Sequence, residues 1–187
     1  MKVFSILLIA AVLVVALPVI AGENLLLNPG FEEGEWGVFW EKVTIPNWVY
    51  FGTAGEVQSV YKRSGDKALK IWDIGVGVYQ DFTVSDKGEY EISGYLYTPS
   101  DDRLDNMDGV LEVEWYRNGS KLASEEIGWF YGLNSSSGDP DSVDTWKLLS
   151  KTVTAPFDAD TGRVYLHLQN KKKGSRGVLV WDDLQVK

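Results

Sequence analysis

The chain has 187 residues, a formal net charge of −9 and no cysteine. Its acidic balance argues against nucleic acid and anionic membranes as partners, because phosphate recognition needs clustered Lys and Arg. The missing thiols remove Cys-based catalysis and Cys-type zinc sites, and a single histidine, His167, removes any His cluster within one chain.

The chain opens with Lys2 and an almost wholly apolar stretch from Phe4 to Ile20, interrupted by Ser5 and broken by Pro18. Val19-Ile20-Ala21 follows, and a charged sequence begins at Glu23. This is the pattern of a signal peptide cut after Ala21, so residues 1–21 are predicted as a leader and 22–187 as a single domain, secreted or held at the cell surface. A retained membrane anchor is the alternative, with roughly 17 apolar residues at the lower limit for a spanning helix. The roughly 165 residues that remain suit one domain with its own core. Loss of Lys2 with the leader takes the formal charge of −9 one unit further negative.

Beyond the leader there is little helical periodicity. Short β-rich runs alternate with Gly, Asn, Asp, Ser and Pro. They predict strands at Asn24–Leu27, Trp48–Phe51, Val57–Tyr61, Ala68–Trp72, Val76–Val84, Glu89–Thr98, Val110–Arg117, Lys121–Ile127, Trp146–Ala155, Arg163–Gln169 and Val178–Val186. Asn118-Gly119 between two alternating runs predicts a tight hairpin, and Asp86-Lys87-Gly88 a second turn. Asp101–Gly109 and Gly132–Thr145 read as long polar loops, and Lys171-Lys172-Lys173 as a solvated turn.

Strict alternation marks strands with one buried and one open face. It sets Val164, Leu166 and Leu168 against Tyr165, His167 and Gln169, and Tyr90, Ile92, Gly94 and Leu96 against Glu91, Ser93, Tyr95 and Tyr97. Many such runs in one domain predict an all-β, two-sheet antiparallel sandwich of jelly-roll type.

The aromatic content is 13%, with eight Trp and nine Tyr. Trp115 and Tyr116 occupy adjacent strand positions, so both cannot enter one core. Tyr95 and Tyr97 share a face with Glu91 and Ser93, and Tyr165 shares one with His167 and Gln169. Such a mixed face fits a sugar chain, whose C–H surfaces stack on rings while its hydroxyls meet amides and carboxylates. Gln169, His167, Glu112 and Glu114 are the candidate polar partners. The competing reading is that the rings simply cover a sheet, since strands favour aromatics.

Several motifs recur in an order that is characteristic as a set. They are Asn24-Leu25-Leu26-Leu27-Asn28-Pro29-Gly30-Phe31-Glu32, then Gly65-Asp66-Lys67-Ala68-Leu69-Lys70-Ile71, Val78-Tyr79-Gln80-Asp81-Phe82 and Tyr90-Glu91-Ile92-Ser93-Gly94-Tyr95. Trp146 precedes a run ending Thr154-Ala155-Pro156, and the chain closes with Val180-Trp181-Asp182-Asp183-Leu184. The order resembles carbohydrate-binding modules of families 4, 9, 16 and 22, which share a galactose-binding-like jelly roll. The resemblance spans the whole predicted domain and implies non-catalytic binding of a polysaccharide of β-glucan, xylan or mannan type. Such modules are commonly joined to a catalytic domain. Residues 22–187 are read as the binding domain alone, so a separate glycoside hydrolase is an expected candidate partner.

The resemblance also implies a structural calcium ion joining the opening segment to the last strand. The matching positions are Gly30, Glu32, a carbonyl near Lys67, and Asp182 or Asp183. Alternation with Val178, Val180, Leu184 and Val186 places Asp182 on an apolar face, where a carboxylate needs a cation or donors. The alternative is that Asp182 accepts N–H groups of the Asn28-Pro29-Gly30 turn. The acidic loop Leu104–Gly109 fails as an EF-hand, lacking the first Asp and carrying Trp115 at the place of the last Glu.

The resemblance further implies a groove with two facing aromatic walls, Trp36 or Trp40 on one side and Trp129 or Tyr131 on the other, over a floor of Tyr95, Tyr97, Tyr165 and Gln169. Two other functions stay open. Glu112 and Glu114 share a strand face at roughly 6.5 Å, an admissible carboxylate spacing for a glycoside hydrolase. No Gly-x-Ser-x-Gly elbow accompanies His167. A secreted sandwich for protein assembly is the other function. Asn118-Gly119-Ser120 and Asn134-Ser135-Ser136 fit the glycosylation sequon.

Overall fold

The computed structural model describes residues 22–34, 44–52, 54–73, 75–85, 88–170 and 172–187. The predicted leader, Trp36, Trp40 and part of the Asp86-Lys87-Gly88 turn lie outside them. The strands are β1 (Val49–Phe51), β2 (Gly55–Gln58), β3 (Ala68–Ile71), β4 (Gly77–Thr83), β5 (Glu89–Tyr97), β6 (Asp108–Arg117), β7 (Ser120–Tyr131), β8 (Lys147–Thr154), β9 (Thr161–Gln169) and β10 (Leu179–Val186). The predicted runs match them with displaced ends, except Asn24–Leu27, which is bent chain.

Two antiparallel five-stranded sheets stack face to face, sheet A in the order β1-β4-β9-β6-β7 and sheet B in the order β2-β3-β10-β5-β8. The predicted all-β sandwich is therefore the observed one. Alternating residues supply the core between the sheets: Val164, Leu166 and Leu168 from β9, Ile92 and Leu96 from β5, and Leu69 and Ile71 from β3. Trp115 and Trp181 are wholly buried there, each contributing on the order of 3 kcal/mol through area removed from water. Tyr116 turns to the other face, as the parity of adjacent strand residues requires. The Asn118-Gly119 hairpin between β6 and β7 forms as predicted, with φ of 48° and 76°.

The opening segment plugs one side of the sandwich. Leu26 and Phe31 enter the core. The Leu25 N–H donates to the Val186 carbonyl at 2.8 Å, and the Leu184 N–H to the Pro29 carbonyl at 3.0 Å. Buried Gln80 of β4 ties the same segment to sheet A by exchanging two hydrogen bonds with the Leu27 backbone.

The predicted face of β10 splits: Asp182 stays beside Val180, whereas Leu184 and Val186 part from them. A bulge between Asp182 and Gln185, with Asp183 at φ 52°, shifts the register of β10 against β5. Leu179, Trp181, Leu184 and Val186 therefore face the core, while Asp182 pairs with Tyr95 on the outward side. Asp182 is nonetheless 0% exposed, because the 63–66 loop and the opening segment cover it.

Candidate functional site

The outward face of sheet A collects most of the predicted residues. Antiparallel register sets three parallel rows across its strands. One row runs Phe51, Gly77, His167, Val110, Trp129, and the next runs Val49, Tyr79, Tyr165, Glu112, Glu126. The third holds Gln169, Asp108 and Tyr131. Four strand spacings separate Phe51 from Trp129, roughly 19 Å.

Aromatic groups stand at both ends of these rows. Trp129 and Tyr131, two residues apart on β7, lie with planes 4° apart and centroids 6.3 Å apart. The indole N–H of Trp129 donates to Glu126 at 2.8 Å. Toward the opposite end Phe51 and Tyr79 lie 6.5 Å apart, and Tyr165 of the central strand β9 lies 5.2 Å from Tyr79 and 6.2 Å from Phe51. Arg163 fixes this cluster. Its guanidinium grips Asp81 through two hydrogen bonds of 2.5 and 2.8 Å and lies 4.1 Å from the Tyr79 ring centre. A recess of about 260 Å³ opens beside it between Leu27, Val49 and Tyr79.

Polar groups fill the middle. The His167 ring lies within 3.1 Å of the Gln169 amide nitrogen and 3.6 Å from a Glu112 carboxylate oxygen. Glu114 is engaged by the Lys121 ammonium and the Tyr116 hydroxyl. Burial pushes its pKa up, but these partners more than offset this and hold it below the usual carboxylate value. Glu114 is thus held ionised, the reverse of the raised pKa that a glycosidase general acid needs.

The structure separates the predicted groove floor. Tyr165, His167, Gln169, Trp129 and Tyr131 share sheet A, whereas Tyr95 and Tyr97 point outward from sheet B on the opposite side of the sandwich. A single groove cannot hold both sets. Alternation assigns a side chain to the open face of its own strand but does not say which sheet that strand joins. On sheet B, Tyr95 lies under the Arg63 guanidinium at 3.5 Å. Tyr97 lies between Tyr61 and Trp146 at 5.5 and 5.1 Å, with its hydroxyl bonded to Asp144. Burial, then Asp144, pushes that hydroxyl up to about 12. Tyr79 was legible from its alternation with Val78 and Gln80. Phe51 sits in the wholly apolar run Trp48–Phe51, which carries no such signal.

Of the predicted calcium ligands, Gly30, Glu32 and Asp182 meet at the opening segment. A Cβ on Gly30 would lie 3.5 Å from Asp182 Oδ1 and 3.7 Å from Glu32 Oε1, so the two carboxylates flank this glycine. Asp182 accepts from the N–H groups of Arg63 (2.8 Å), Ser64 (3.2 Å) and Asp183 (2.8 Å), not from the Asn28-Pro29-Gly30 turn. Burial pushes its pKa up to about 6, against the lowering effect of those donors. Glu32 accepts from Asp66 and Lys67 N–H groups. Asp183 is committed elsewhere, to Arg63 and Ser64. No cluster of three or more His, Cys, Asp or Glu able to hold a metal occurs among the described residues. A hard cation here would therefore draw on Asp182, Glu32 and backbone oxygens, a donor set that suits calcium.

No protein-family model matches the sequence, and a search of the curated proteins finds no match. Solved structures do share its architecture. TmCBM61, solved with β-1,4-galactotriose, superposes with a TM-score of 0.55 at 16% identity, covering 89% of this chain and 99% of that one. The fold is the jelly roll of carbohydrate-binding modules. A family 16 module gives a TM-score of 0.54 at 15% identity, covering 88% of this chain and 99% of that one. The CBM22-1 xylan-binding domain of Paenibacillus barcinonensis Xyn10C gives 0.53 at 17% identity, covering 84% and 90%. No helix among the described residues is long and apolar enough to cross a membrane.

Proposed function

We propose that the outward face of sheet A binds a neutral polysaccharide chain without cleaving it. The observation that carries this reading is the row geometry: Trp129 and Tyr131 on the edge strand β7, Phe51 and Tyr79 on β1 and β4 at the other side, and Tyr165, His167, Gln169 and Glu112 on the strands between them. Rings at the borders offer stacking surfaces for sugar C–H faces. The amide, imidazole and carboxylate supply donors and acceptors for hydroxyls. An open face suits chain interiors. The ligands of the structurally similar modules, β-1,4-galactotriose and xylan, widen the candidate class to β-linked plant-type chains.

In this reading residues 1–21 direct export, and a calcium ion bridged by Asp182 and Glu32 locks the opening segment to β10. The protein brings its glycan to a separate glycoside hydrolase.

Affinity electrophoresis in calcium against xylan, β-glucan, galactan, mannan and cellulose tests the reading. Saturable retardation by one class, without release of reducing ends, is the expected result. Binding to none of them would overturn it in favour of protein assembly. Release of reducing ends would return Glu112 and Glu114 to consideration.

A further inference from the structure

A cavity of about 540 Å³ lies at the loop end of sheet B, on different strands from the face described above. Its floor is made by Glu56 of β2 and Lys70 of β3, cross-strand partners that also form an ion pair. Trp72 forms one wall, its ring centre 5.3 Å from the Lys70 ammonium. Asp102 and Arg176 line it from the two loops that border the space.

The loop border of this recess is held by specific bonds. The 102–105 and 175–178 segments are tied by backbone bonds from Val178 N–H to Asp102 O (3.0 Å), Asp105 N–H to Arg176 O (2.9 Å) and Arg176 N–H to Asp105 O (3.1 Å). Gly177 permits this approach. Its φ is +87°, and a Cβ there would stand 1.9 Å from the Arg103 carbonyl oxygen. The buried Asp105 carboxylate also meets the Arg176 guanidinium at 3.3 Å, while 77% of that side chain stays exposed.

The volume falls within the range of small-molecule sites, about 300–1,000 Å³. The lining sets carboxylates of Glu56, Asp73 and Asp102 against the cations of Lys70 and Arg176. Opposed charges so nearly balanced favour an uncharged ligand rich in hydroxyls, with carboxylates accepting from them and guanidinium and ammonium donating to them. The indole adds a stacking wall. We propose that this cavity is a second, independent site that takes one or two neutral sugar units, a chain end or a free monosaccharide. Unlike the strand face of sheet A, it is a recess bordered by two loops, and it does not depend on that face binding anything.

The test is an NMR titration of the protein with glucose, galactose, mannose and xylose and their methyl glycosides, reading the indole N–H resonances of Trp72 and Trp129 separately. At least one sugar should move the Trp72 resonance saturably. Asp102→Ala, on an exposed loop, should weaken that binding about tenfold, whereas Trp129→Ala should leave it unchanged. Trp72 packs partly against the core, so Asp102→Ala is the variant that keeps the fold. A Trp72 resonance unmoved by every sugar, or binding indifferent to Asp102→Ala, would overturn the proposal. Failure of the sheet A reading is separate, since it is read with polysaccharides and Trp129→Ala.

Discussion

On sheet B, Tyr95 lies under Arg63, and Tyr97 is packed between Tyr61 and Trp146 with its hydroxyl held by Asp144. On sheet A, Trp129 and Tyr131 lie parallel at one border, and Tyr79 faces them across the two strands that carry Tyr165, His167, Gln169 and Glu112. Both faces are rich in rings at outward strand positions. On sheet B the rings anchor the 61–66 and 144–146 loops, so their contact surface serves the fold. On sheet A they border a polar strip. An outward aromatic is therefore not by itself a binding residue; what its neighbours do with its face decides.

The largest effect that would sharpen this contrast lies on the outward side of sheet B, under the 63–66 loop. Asp182→Ala orphans three backbone N–H groups in a buried place and should cost about 4 kcal/mol, a fall of roughly 8–16 °C in Tm by calorimetry. Glycan affinity of the protein that remains folded should not change.

Next comes Trp129→Ala on sheet A, expected to weaken polysaccharide binding about thirtyfold, near 2 kcal/mol, with Tm almost unmoved. A variant that instead lost stability and kept its affinity would assign Trp129 to the fold, as Tyr97 is assigned.

A smaller effect follows from the pKa of Asp182, pushed up to about 6. The folded state holds the proton more tightly than the unfolded state, so this contribution grows as pH falls through 6 toward 4 and is absent above it. In chelator, acidification from pH 7 to 5 should stabilise the wild type by about 1.4 kcal/mol relative to Asp182→Asn. Saturating calcium favours the charged carboxylate and should abolish that difference.

The smallest is Tyr97→Ala, expected to cost about 1 kcal/mol of stability through lost ring contacts and to leave polysaccharide affinity unchanged. Lost affinity at constant stability would erase the distinction between the faces.

The sequence carried the fold class and the facing of most strands because alternation is a local property. Val164, Leu166 and Leu168 face inward as read, with Tyr165, His167 and Gln169 outward. Sheet membership is a long-range property, and nothing in the β5 or β9 runs says that one joins sheet B and the other sheet A. The parity of β10 failed for a different reason. Asp183 adopts a left-handed φ of 52° within a bulge, so Leu184 and Val186 turn to the core while Val180 and Asp182 stay together on the outward side. The burial of Asp182 was nevertheless anticipated, although the covering donors come from Arg63 and Ser64 and not from the opening turn.

The most direct test of the central claim is an NMR titration of the protein with the polysaccharide fragment that binds best, followed through backbone amides and indole N–H groups. Perturbations should concentrate on β4, β6, β7 and β9, with the Trp129 indole among the largest. Perturbations confined to β5 and β8 around Tyr97 and Trp146, with Trp129 and Tyr165 unmoved, would contradict it.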